Sequence, residues 1–132
     1  MLLSSMLFVA CGPHFDQKSA DHFTELKAYH IDFVDRFTGD TGRTYDETAL
    51  KSACVLGALE FDKAQAYMES EGDKECLKAL AYLREQFDED CRFLRSVEKL
   101  FSKSYSDEHK TALGANYDHA IAAEYGSVGD RE

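Results

Sequence analysis

After Pro13 the sequence contains no further proline, and through that run apolar side chains return every three or four positions. Proline inside a helix removes an amide donor and clashes with the preceding turn, so its absence leaves nothing to interrupt helices. Ala, Leu, Glu, Lys and Phe fill the run, and three- or four-residue spacing places them along one face of an α-helix. No stretch alternates with period two, and no segment repeats. The pattern predicts an all-α chain.

The stripes divide into four. Phe23, Leu26, His30, Phe33 and Phe37 predict a first helix from about Ser19 to Thr38, which Gly39 ends. Gly39 to Arg43 reads as a loop. Thr44-Tyr-Asp-Glu47 has the form of a capping box, opening a second helix to about Glu69 with Leu50, Cys54, Gly57, Phe61, Ala64 and Met68 inward. Asp73 caps a third helix after a turn at Gly72. This helix is expected to run from Lys74 to Lys103, with Leu77, Leu80, Phe87, Cys91, Leu94 and Phe101 inward. Ser106, followed by Asp107 and Glu108, should open a fourth helix carrying Leu113, Tyr117, Ala120, Ile121 and Tyr125 and stopped by Gly126. Short connections make consecutive helices antiparallel neighbours. The expected architecture is therefore an antiparallel up-down four-helix bundle in one domain, residues 19–126, with a loose tail at 127–132. A chain of 132 residues buries enough surface to fold without metals.

The first ten residues carry no charged side chain and are mostly apolar, too short to span a bilayer as a helix. They end in Leu7-Phe8-Val9-Ala10-Cys11, which resembles the lipobox of bacterial lipoproteins. The resemblance implies cleavage after residues 1–10, lipidation of the Cys11 thiol and a short tether at 11–18. Gly12 after the cysteine, rather than Asp, implies an outer-membrane destination in a Gram-negative envelope. A start farther upstream would supply the charged region that such signals carry.

Lipidation would leave Cys54, Cys76 and Cys91. Cys54 and Cys91 lie at nearly equal distances either side of Gly72, both on inward stripes, so a helical hairpin would set them side by side as a disulfide. Export would provide the oxidising conditions. Two reduced core thiols are the plainer alternative. Cys76 has no evident mate and is expected to be a buried thiol. No pair has the short spacing of zinc sites.

The formal net charge is −10, all of it beyond the leader, which argues against nucleic acid or an anionic bilayer surface as the direct partner and is compatible with a basic protein partner or with cations. Glu69, Glu71, Asp73 and Glu75 cluster near the second turn, and Glu85, Asp88, Glu89 and Asp90 form a second group; both are candidate partner-binding patches, or simply solvated faces. Glu-x-x-His, Cys-x-x-Cys-His, a phosphate loop and Gly-x-Ser-x-Gly are absent, so no catalytic residue, metal or cofactor is expected. His30 on an apolar stripe reads first as a hydrogen-bonded core histidine. The expected function is thus a non-enzymatic, membrane-anchored envelope lipoprotein that binds another protein, of inhibitor or immunity type in its sharpest form. A metal or small-molecule carrier using the bundle interior around His30 is one alternative. A cytosolic adaptor with an accidental lipobox is another.

Overall fold

The computed structural model describes residues 16–39 and 42–129, with 123–129 described by their backbone alone. The leader, Cys11 and the end of the tail lie outside the described residues. Four helices follow one another: α1 (Gln17–Arg36), α2 (Glu47–Glu71), α3 (Lys74–Val97) and α4 (Lys103–Gly129). Among the described residues there is no strand beyond one isolated bridge between Thr38 and Phe101.

The helix ends follow from their caps. The Asp16 carboxylate accepts from the Lys18 amide and the Ser19 hydroxyl, starting α1 two residues earlier than expected. Asp46, not Thr44, caps α2: its carboxylate accepts from the Ala49 amide at 3.1 Å, and Thr44 stays outside the helix. Asp is charged, and at the positive end of a helix it competes well with Thr. Gly72 closes α2 at φ 70, with its own amide bonded to the Glu69 carbonyl and the Asp73 amide to that of Met68. Asp73 caps α3 as expected, accepting from the Cys76 amide at 3.0 Å.

The third helix is shorter than its stripe suggested. Glu98 turns left-handed at φ 55 and ends α3 at Val97, so Leu100 and Phe101 belong to the connection. The fourth helix starts correspondingly earlier. Ser102 rather than Ser106 receives the first-turn amide, from Tyr105 at 3.2 Å. Ser106 is buried and shares a hydrogen bond with the Thr38 hydroxyl. Gly126 does not stop α4, whose backbone continues to Gly129.

Cross-helix partners fix the topology, because their numbers rise on one helix as they fall on the other. Asp35–Lys110 and Lys27–Asp118 align α1 antiparallel to α4, the most extensive packing in the bundle. Cys54–Cys91 and Asp62–Arg84 do the same for α2 and α3. The interior holds Phe23, Phe33, Phe61, Phe87, Leu83, Leu94, Leu113 and Tyr117, all fully buried. Gly57 admits this packing, since a Cβ there would sit 2.3 Å from the Phe87 ring. The result is an antiparallel four-helix bundle.

Cys54 and Cys91 form the expected disulfide, with Cα atoms 6.2 Å apart. Closing that loop contributes about 4 kcal/mol in the chain-entropy account. The expected lone thiol at Cys76 is corrected: Cys76 is also disulfide-bonded, and no described cysteine is free. None of the described helices is long and apolar enough to cross a membrane.

Candidate functional site: a buried His–Asp–His cluster beneath an aromatic patch

Three helices each bring one titratable side chain to a common point. His30 lies on the inward stripe of α1 between Leu26 and Phe33 and is fully buried. Asp90 belongs to α3, one residue before the bridged Cys91, and is 5% exposed. His109 is on the second turn of α4, half-buried. His30 Nε2 lies 2.7 Å from Asp90 Oδ2, and His109 Nε2 lies 2.9 Å from both Asp90 oxygens. On the far side of His30, Nδ1 lies 2.9 Å from the Tyr117 hydroxyl.

Donor and acceptor arithmetic assigns the protons. A carboxylate only accepts, so both Nε2 atoms donate to Asp90. Neutral His30 then accepts at Nδ1 from Tyr117. No buried polar side-chain atom among the described residues lacks a partner. Burial works to raise the Asp90 pKa, but the hydrogen bonds from His109 and His30 outweigh it and hold the carboxyl below its usual range. For His30 burial is the dominant effect and lowers its pKa against the pull of Asp90. The Tyr117 hydroxyl is pushed up by burial and by the Asp90 charge, and stays protonated. At neutral pH Asp90 is therefore a carboxylate, held by the Nε2–H of a neutral His30 and by that of His109.

The walls are aromatic. Phe87 meets the His30 ring edge-on at 5.2 Å between centroids, and Tyr117 does so at 5.7 Å. On the opposite side the His109 ring stacks on Tyr105 at 5.0 Å and touches Phe101 at 6.0 Å. Phe101 in turn lies parallel to Phe93 at 5.9 Å. Phe93 is 50% exposed and Tyr105 45%, and with Val97 and Leu100 they line a shallow apolar hollow over the α3–α4 connection. His109 is thus the lower rung of an aromatic ladder that begins at the surface.

The acidic residues expected to bind a partner divide on inspection. Glu69 and Glu71 are exposed at the α2–α3 turn, but Asp73 is occupied as a helix cap and Glu75 pairs with Lys78. Glu85 pairs with Arg92, Asp88 lines a hollow with Arg92 and Arg95, and Glu89 is exposed. Asp90 is not on the surface at all, which corrects its assignment to a solvated acidic face. Its position had a legible signal, since Leu83, Phe87, Asp90 and Leu94 step along one helical face. His109 and Tyr117 were missed as partners of His30, because only folding brings α4 against α1.

Comparison with known proteins gives no match: no protein-family model, curated protein or solved structure aligns with this chain. The geometry alone carries the functional argument.

Proposed function

We propose that this protein is an exported, non-enzymatic binding domain of the cell envelope, and that its aromatic hollow docks a second, basic protein. The observation that carries the reading is the ladder Phe93–Phe101–Tyr105, whose outer rings stand half in solvent. Exposed aromatic clusters are costly on a free surface and supply most of the energy where partners meet. Charge selects the class of partner: the chain carries −10 overall, and Glu89 and Asp90 put a negative field on Tyr105. A basic rim around an apolar anchor would complement both.

Export rests on the disulfides, which persist in oxidising compartments. A thioether to lipid and a disulfide exclude each other at one sulfur, and either use of Cys11 fits an exported chain.

The docking reading is tested by capture from envelope extracts with wild type and a Phe93→Ser/Tyr105→Ser variant, at low and high salt. The expected result is one basic protein retained by wild type at low salt, released by salt and lost in the variant. Retention by the variant, or capture indifferent to salt, overturns the reading. A wild-type dimer that the variant dissolves would assign the hollow to self-association instead.

A further inference from the structure

We propose that His30, Asp90 and His109 form a binding site for a divalent transition-metal ion of the zinc type. The site does not depend on the docking reading. Two imidazole Nε2 atoms and one carboxylate oxygen, from α1, α4 and α3, lie within 4.8 Å of one another. Both ring nitrogens point at the same carboxylate, at 2.7 and 2.9 Å. Tetrahedral coordination at bond lengths near 2.0 Å needs ligand atoms about 3.3 Å apart, so an ion inserts if each ligand withdraws by a few tenths of an ångström. His109, with its side chain 16% exposed against 1% for His30, is the imidazole with more room to move.

The donor set decides the class of ion. Two nitrogens and one oxygen suit zinc, nickel, cobalt or copper, whereas calcium and magnesium want six or more oxygens. The described cysteines are in disulfides and supply no thiolate. Three protein ligands leave a fourth position for water.

Charge favours the same conclusion. The Asp90 carboxylate is buried against the His30 ring, which Phe33, Phe87 and Tyr117 wall in, and desolvation of an ion there is expensive. A divalent ion compensates the carboxylate directly. The proton balance also closes. His30 moves its proton from Nε2 to Nδ1 and gives the freed lone pair to the metal; His109 ligates through its Nε2 lone pair as an imidazole, and any proton it carries beyond the one on Nδ1 leaves to solvent. For His30 the new Nδ1–H donates to the Tyr117 oxygen, which exchanges its role as donor for that of acceptor. Tyr117 is then a positioning residue that fixes the ligating ring from behind.

The test uses the full oxidised chain, stripped with chelator and titrated with zinc alone by calorimetry and with cobalt by absorption. The expected result is one ion per chain and a four-coordinate cobalt spectrum. Asp90→Asn and His109→Gln should each weaken zinc by a hundredfold or more, and Tyr117→Phe by roughly tenfold with the ligands intact. Helical content by circular dichroism checks each variant; if a ligand variant does not fold, Tyr117→Phe and the cobalt spectrum still decide. Absence of binding to wild type overturns the site, as does binding unchanged in His109→Gln or Tyr117→Phe.

Discussion

A carboxylate deep in a bundle must be compensated, and Asp90 receives hydrogen bonds from two imidazoles. This arrangement sets a direction for acid stability in the chelated protein. His30 and Asp90 both have lowered pKa values in the fold, so the unfolded chain takes up each proton first. Stability is then full above the ordinary imidazole value and falls as pH drops below about 6.5, with a second loss below about 3.9 from Asp90. His109 and Tyr117 are the other titratable groups touching the pair. Urea melts from pH 8 to 4 should show the first loss, and His30→Gln should flatten it. A melt indifferent to pH across that range would contradict the assigned protonation states. Gly57 is a second residue with a large local effect. Its missing Cβ makes room for Phe87, so Gly57→Ala should destabilise by about 1–3 kcal/mol despite the better helix propensity of alanine. Denaturant midpoints will measure the balance.

At the scale of helices, the faces were readable, and of the ends only the turn at Gly72 and Asp73 was. The inward residues of α1 and α2 came directly from spacing, because burial repeats with the helical period. Ends depend on competition between neighbours. Asp46 prevailed over Thr44, and Ser102 over Ser106, and nothing in a capping motif states which candidate the tertiary fold will bury. The end of α3 is the instructive case. The apolar stripe continues through Leu100 and Phe101, yet the helix stops at Glu98, whose left-handed backbone turns the chain toward α1. A non-glycine residue there is strained by roughly 1 kcal/mol. Glu98→Gly is therefore expected to leave the fold unchanged and raise the thermal midpoint by a few degrees. A lower midpoint would mean that the glutamate side chain contributes more than the strain costs.

For the molecule as a whole, the bundle and the Cys54–Cys91 bridge were both legible, since a hairpin about Gly72 leaves little choice of partner for either residue. The cluster at Asp90 was only half legible. Its stripe position marked it as inward, but its acidic neighbours Asp88 and Glu89 disguised it, and no local pattern links residues on α1, α3 and α4. Cys76 was misjudged because no spacing in the sequence marks it as bonded. Intact mass of protein recovered from its native host separates lipidation from disulfide bonding at Cys11. Diacylglycerol on Cys11 would establish the anchor. A non-reduced peptide joining it to Cys76, recovered from the same source, would establish a bridged and unanchored domain instead.

The backbone bridge at the ends of α1 and α3 has a mechanical meaning. Phe101 donates its amide to the Phe37 carbonyl at 2.8 Å and accepts from Gly39 at 3.0 Å, while its ring stacks between Phe93 and Tyr105. One residue is thus a rivet between two chain crossings and a tile in the exposed hollow. Load applied to the hollow is passed to the hinge of the α1–α2 hairpin through two parallel hydrogen bonds, and to the cluster through the ring of His109. The exposed hollow is thus tied through Phe101 to the end of α1 and through His109 to the bundle interior, rather than to a loop alone.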